Sequence, residues 1–553
     1  MISNQHLGKF KFSFLATVLI AIFCVFWVSF RLPEPSFLLV DPDGGHQLAG
    51  ANQILFGEHP FIHFRSTYGP LVFYASALSQ ILSGKRIIGE MILLVVGYSI
   101  AYVLLFRLLW LASGRLSISI VFTLLGLTLI PRIYKYYIVL GPVMSLFAAW
   151  SYVERPSRRS LWFLALEIAI TGLFRPDFGV YSALCGIVVV GLRPTPKLLV
   201  KIQRLSVFVG AIIVCASPWL IWSLLNGGLG NYFYDSTFGA VNHAVGLSLP
   251  LPGFKGDGSL ISPENAVFVV SRFFYALPVV SIFVAILRRN QMTEEERRKI
   301  LATAILAQAA LLQASHRADY GHLLQAIPVS FVLCAWLTGV AISLLQSGSF
   351  WQRRYAVAGL GTLVGIAATF IFITTSLSMW PRFDLYSLQD NLRIYSGSTQ
   401  TFLNYVEQKD PDNWHIKAIR YTQRCTSSSQ RILALPFLTS LYYLADRPFG
   451  GGQMLLAPGY FSTKNDQVRM VKRMSDEKVS LVIDIKDFVY DNREDRKVKK
   501  YASLVFDYLE KNFIEVKKID PAVVKVNREQ IPVLSTNRAI EVSCPIEYSK
   551  DRI

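Results

Sequence analysis

The chain has 553 residues, of which 52% are hydrophobic and only 17% charged, and it carries a formal net charge of +18 with a mean hydropathy of +0.40. A water-soluble protein carries about 25% charged residues, so this composition excludes an ordinary soluble enzyme. The positive charge is spread over short loops between apolar runs, with no aromatic-and-basic binding module, which argues against a nucleic-acid partner despite a pI near 9.5.

Crossing a bilayer takes roughly 20 mostly apolar residues. The first such run is 12–30, preceded by Lys9 and Lys11. The apolar core of a signal peptide is about 7–15 residues long and ends in a small-residue cleavage site. This run is longer and ends in Phe30-Arg31-Leu32-Pro33, so it reads as a retained anchor. Further runs follow at 87–110, 116–130, 139–152, 161–174, 178–192, 205–225, 266–287, 300–313, 328–345 and 355–379. Together they predict an α-helical polytopic membrane protein with about eleven spans, the shorter ones borrowing flanking residues. Residues 74–82 are too few to span and predict a helix lying at the interface.

Lys and Arg in short loops stay cytoplasmic. One alternating set of loops holds Lys9 and Lys11; Arg115; Arg155, Arg158 and Arg159; Arg193, Lys197, Lys201 and Arg204; Arg288, Arg289, Arg297, Arg298 and Lys299; and Arg353 and Arg354. The pattern requires an odd number of spans with 74–82 left out. It places the N-terminus in the cytoplasm and the polar region beyond Trp380 outside. The expected organisation is a multi-span part, 1–380, and an extracytoplasmic α/β part, 381–553. In the latter, 431–438 and 479–485 read as buried strands and 498–513 as an amphipathic helix.

Cys24, Cys185, Cys215 and Cys334 lie in apolar runs and read as packing residues. Cys425 and Cys544 fall in the outer part, where a disulfide can persist; bonded and free states are both open. There is no CxxC, metal-ligand spacing, repeat or low-complexity segment.

Three polar groups occupy the sparsely charged, outward-facing loops. The first contains Asp41, Asp43 and His46 and continues through Gly57-Glu58-His59-Pro60-Phe61 to Tyr68-Gly69-Pro70. Here Asp43 is either a helix cap or a reactive carboxylate, with the helix stopping at Gly57. The second is Arg175-Pro176-Asp177-Phe178-Gly179, either a local ion pair in a tight turn or part of a substrate path. The third is His316-Arg317-Ala318-Asp319-Tyr320-Gly321-His322. Its arginine suits a phosphate through a planar fork of donors, and its histidines can add a hydrogen bond or a proton. The charge-derived topology puts all three groups on one face.

The first loop, with its Asp, the Gly-x-x-Pro-Phe and the Tyr-Gly-Pro, resembles the first outer loop of type C glycosyltransferases, multi-span enzymes that use polyprenyl-phosphate sugars. Arg-Pro-Asp-x-Gly and His-Arg-x-Asp-Tyr-x-His resemble loops of their bacterial branch, which decorates lipopolysaccharide and cell-wall glycans. Residues 432–436 and 441–448 are similar to a C-terminal segment of that branch. The resemblance implies an inverting, single-displacement transfer with Asp43 as general base. The family's Asp is often followed by Glu; here Gly44 follows, so Asp41 is the second candidate. It further implies Arg317, His316, His322 and Arg175 at the donor phosphate. Asp177, Asp319, Tyr320, Tyr68, His63 and Arg65 are further site candidates. Some relatives use a divalent metal, for which this sequence shows no ligand set. The implied partners are a polyprenyl-phosphate sugar, a glycan, lipid or protein acceptor, and the bilayer of the cytoplasmic (inner) membrane.

The outer loop 226–265, rich in Gly and Pro and carrying Tyr232, Phe233, Tyr234, Asn242 and His243, reads as either a lid over the acceptor or a plain connector. Rival functions are a lipid-linked glycan flippase or transporter, and a glycan polymerase or ligase. Transporters usually show two related halves and a site near the midplane, and no halves match here.

Overall fold

A computed structural model of the chain describes residues 4–530 apart from 41, 131, 196, 252, 254–261, 377–379 and 382. Asp41 and Cys544 therefore lie outside the described residues, as does part of the 226–265 loop. The protein is mostly helical, with one small sheet near the C-terminus.

Each of the eleven apolar runs lies within a helix or overruns one of its ends by a few residues. Among the described residues, six helices are long and apolar enough to cross a membrane: Ile87–Ser113, Ile133–Glu154, Leu198–Leu225, Asn265–Leu287, Ser330–Ser347 and Phe350–Ser376. Phe14–Ser29, Leu116–Thr128 and Pro176–Gly191 are apolar but shorter. Arg158–Phe174 and Glu294–Ser315 are diluted by polar first turns, the latter opening on Glu294, Glu295 and Glu296. That start is well built. Thr293 accepts the Glu296 N–H, and three carboxylates sit at the positive end of the helix dipole. The short run at 74–82 lies in helix Pro70–Ser83, started by Pro70 and ended by Gly84 in a left-handed conformation. Leu78, Ile81 and Leu82 are exposed on it.

Contacts divide the chain into two compact units. The first comprises 1–32, 94–219 and 248–384. Its helices are tied by buried polar side chains. Trp27 Nε1 donates to Leu127 O at 3.0 Å, Trp150 Nε1 to Thr303 Oγ1 at 3.1 Å and Trp336 Nε1 to Glu296 Oε1 at 3.1 Å. Helices Arg158–Phe174 and Pro176–Gly191 approach so closely at Gly172 and Gly179 that a Cβ on Gly179 would strike the Gly172 backbone.

The second unit comprises 33–93, 220–247 and 385–553, so it is discontinuous in sequence. Its sheet has strands β1 (Ile432–Leu435), β2 (Leu481–Ile485), β3 (Phe513–Ile519) and β4 (Ala522–Asn527) in the order β1-β2-β4-β3. β1 and β2 are parallel, and the other two pairings are antiparallel. Leu433, Leu435 and Val482 pack with Met470, Met474, Val505 and Leu509 into one core. The expected strands are present. The expected helix at 498–513 is two helices, Val498–Tyr501 and Ser503–Asn512, ending where β3 begins. Cys425 is disulfide-bonded.

The first loop is built into this unit. Helix Pro42–Leu55 packs on helix Thr439–Ala445 so tightly that a Cβ on Gly45 would stand 2.5 Å from Thr439 Oγ1. Asn52 Nδ2 donates to Tyr442 O at 3.3 Å. Gln53 pairs with the Phe449 backbone in both directions, accepting its N–H at 3.1 Å and donating to its carbonyl at 3.4 Å.

Candidate active site

In the first unit, helix Glu294–Ser315 ends at His316, and the chain continues extended through Arg317, which bridges to Leu249. Asp319 then caps helix Tyr320–Ala326. Its Oδ1 accepts the His322 N–H at 3.0 Å and His322 Nδ1 at 2.8 Å, while Oδ2 accepts Arg317 Nε at 3.1 Å. Arg132, which the sequence reading missed, donates from Nη1 to His322 Nε2 at 2.7 Å. A guanidinium can only donate, so Nε2 is the acceptor and Nδ1 carries the proton.

His322 is therefore neutral, and burial, seconded by the Arg132 charge, holds its pKa below the usual value. Burial alone would push the Asp319 carboxyl up. The hydrogen bonds from the His322 ring and backbone N–H, seconded by the Arg132 charge, outweigh it and hold the group at about 2. Both His322 ring nitrogens are thus engaged within the cluster, and the histidine braces Arg132 against Asp319. A Cβ on Gly321 would lie 3.3 Å from both Arg132 Cδ and Asp319 Oδ1, so the glycine leaves room for this contact. Arg317, Asp319 and His322 remain partly open, and His316 and Tyr320 are exposed.

Arg175 and Asp177 pair with each other. Nε reaches Oδ1 at 2.9 Å and Nη2 reaches Oδ2 at 3.0 Å, while Asp177 Oδ1 also accepts the Phe178 N–H. This is the geometry of a turn-stabilising pair between two helices.

In the second unit, Asp43 lies in the first turn of helix Pro42–Leu55 and is half-buried. The helix stops before Gly57, whose φ of 85° few other residues adopt. One turn on from Asp43, His46 is buried in an aromatic box. Its ring lies 5.2 Å from Tyr68, 5.5 Å from Phe73 and 6.5 Å from Tyr460. Burial pushes His46 down to about 4, against the opposing pull of Asp43, so the ring is neutral near pH 7. Its Nε2 is buried without a hydrogen-bond partner among the described residues.

His63 and Arg65 connect segments of this unit. The His63 carbonyl accepts from Arg473 Nη1, and its Nδ1 accepts the His59 N–H at 2.9 Å. Arg65 bonds both oxygens of buried Asp235 and, at 2.5 Å, Asp466 Oδ1; its guanidinium also lies 4.4 Å from the Phe461 ring centroid. Burial would lower the Arg65 pKa, but the two carboxylates raise it, so it stays charged.

Arg132 had a readable sign in the sequence. It sits in a loop the charge rule assigns to the sparse outer side, where an arginine needs a reason to be. His46 was readable only as the residue three beyond Asp43, on the same helix face. Among the described residues, no group of three or more His, Cys, Asp or Glu is placed to hold a metal ion.

The class these features define is a helical protein with, among the described residues, six helices fit to cross a membrane, an arginine-rich cluster in one unit, and a carboxylate beside a neutral histidine in the other. No family model and no curated protein matches the sequence. Among solved structures, the chain is similar to ArnT from Cupriavidus metallidurans bound to undecaprenyl phosphate. The identity is 15% over 93% of this chain and 97% of that one, with a TM-score of 0.48. The apo state of the same protein matches at 14% identity over 94% and 98%, with a TM-score of 0.47.

Proposed function

We propose that the protein is an integral membrane glycosyltransferase of the type C class that moves a sugar from a polyprenyl phosphate to a hydroxyl of an envelope glycan, lipid or protein. The reading rests on the order of the loop motifs. The observation that carries it is the Arg132–His322–Asp319–Arg317 cluster, which holds two guanidinium groups in a partly open setting.

In this reading the acceptor hydroxyl attacks the anomeric carbon and inverts it. Asp43 takes the proton, a role that contributes about 10²–10⁴-fold. The leaving group is a phosphate monoester, and fixed cationic donors stabilise the charge that develops on it. Arg317 and Arg132 fill that role; His322 and Asp319 aim them. Arg175, already paired with Asp177, and the exposed His316 are secondary contributors. We assign the spans to residues 1–380 in the cytoplasmic membrane, with the N-terminus inside and 381–553 outside.

The test is sugar transfer in vesicles supplied with a polyprenyl-phosphate sugar and no ion gradient. Bond formation supports the transferase; vectorial movement without it supports a flippase. Asp43→Asn should abolish transfer while leaving the thermal midpoint unchanged. Full activity in that variant overturns the assignment of the base. Mass spectrometry of envelope glycans from a deletion strain identifies the sugar and its acceptor.

A further inference from the structure

Helix Leu198–Leu225 is the barest of the candidate spans, with only 11% of its apolar stretch buried inside the protein. It ends with Leu224 and Leu225 exposed, and the chain turns at Gly227, where φ is +74°. A second amphipathic element starts at once. It consists of helix Leu229–Tyr234, a π-helical turn Asp235–Gly239 and helix Ala240–Gly246.

One side of this element is fastened to its own unit. Tyr232 packs edge-on to Phe61 with ring centroids 5.1 Å apart, and Asn231 Nδ2 donates to Phe61 O at 2.8 Å. Asp235 is bonded by Arg65, and His243 packs on Tyr460 with centroids 5.1 Å apart. Gly246 lies against Pro458 with no room for a Cβ.

The opposite side is apolar and bare. Phe233 is 54% exposed, Phe238 66%, Val241 61% and Val245 70%. Their spacing is five, three and four residues. The wider π turn supplies the step of five, which keeps Phe233 and Phe238 on one side. Residues 226–246 contain no Lys or Arg, and their one carboxylate, Asp235, is turned inward.

We propose that residues 229–246 lie in the headgroup–acyl boundary of the bilayer, with Phe233, Phe238, Val241 and Val245 dipped into lipid. An amphipathic helix with a large apolar face behaves this way at a membrane surface. The occupant is the bilayer because the bare face continues, after a short glycine turn, from the least buried span, whose own exposed leucines mark where lipid ends. The inference rests on the reading that Leu198–Leu225 crosses a membrane. The element then acts as an anchor that holds the outer loop at the surface, fastened from within by the Arg65–Asp235 pair.

Spin labelling tests this in the full chain, with Cys215 replaced by Ser and the protein reconstituted in phosphatidylcholine–phosphatidylglycerol vesicles. Labels are placed by Ile213→Cys in the span, by Phe238→Cys and separately Val241→Cys in the element, and by Asp412→Cys on a water-exposed surface. The expected result is that 213, 238 and 241 collide several-fold more with oxygen than with a water-soluble nickel chelate, with 412 showing the reverse. Labels at 238 and 241 that meet the chelate as freely as 412 does would overturn the proposal. So would labels there shielded from both reagents, which would mean burial against protein. A label at 213 that prefers the chelate sinks the span reading, and the proposal with it.

Discussion

A histidine held between an arginine and an aspartate has no freedom of protonation left. Arg132 occupies His322 Nε2 and Asp319 accepts from Nδ1, so the three side chains form one rigid row with Arg317 fastened to the same carboxylate. If this row carries donor phosphate, Arg132→Ala should lower transfer by about 10²–10³-fold, the cost of losing one preorganised donor. Arg132→Lys should recover only part of that, because a single ammonium cannot reproduce the planar fork. Measuring transfer from a polyprenyl-phosphate sugar in both variants checks it. His46 gives a prediction about pH. Its folded pKa of about 4 lies below the unfolded value of about 6.5. The unfolded chain therefore binds the proton first, and stability is fully present above about 6.5 and falls as pH drops toward 4. The thermal midpoint should decline across that window, and His46→Gln should flatten the decline. Asp319, His316 and Arg317 could be picked out of the sequence because they sit together among apolar runs. Arg132 joins them from about 190 residues away, and no local pattern encodes that pairing.

Among the elements, the most consequential tie is Arg65 with Asp235 and Asp466. Both carboxylates are almost wholly buried, and they belong to the outer loop 226–265 and to helix Lys464–Asp476. Removing the arginine takes the bonded cation from buried Asp235 and leaves Asp466 with Arg469. Arg65→Leu should therefore destabilise the protein by about 3–5 kcal/mol, the usual cost of breaking a buried pair from one side; a chemical denaturation series in detergent measures it. The same geometry bears on the loop. At Asp235 it is a fastened element rather than a free-swinging flap. In the first unit, Gly179→Ala forces a methyl into the Gly172 backbone. Overpacking of this kind costs about 1–3 kcal/mol, read as a lower thermal midpoint. Strands β1 and β2 were legible as apolar runs. The hairpin of β3 and β4 was not anticipated, because its residues 513–519 mix three charged side chains with partly buried positions and follow directly on a helix.

For the whole molecule, the two units are not the two halves of the sequence. The second unit gathers 33–93 and 220–247 with the C-terminal residues, so the first loop, with Asp43 and His46, folds as part of it. The proposed orientation has a direct check. Asp412→Cys should react with an impermeant thiol reagent added outside intact cells, and Ser157→Cys, in an arginine-rich loop, only after permeabilisation. Composition and run length determined that the chain is helical and apolar enough to meet a membrane, because helix formation and hydropathy depend on neighbours within a few turns. The count of spans was less well determined: all eleven runs lie in or against helices, but among the described residues six helices are both long and apolar enough to cross, the others being shorter or opening on polar turns. Motif residues were visible as unusual polar clusters. What only the tertiary structure decided is which of them are partnered and how. Arg175 turned out paired with Asp177, Arg65 locked to two acids, His322 braced by Arg132, and His46 boxed by rings from Tyr68, Phe73 and Tyr460. Most of these contacts join residues far apart in the chain, and their formation depends on packing that no local run of sequence specifies.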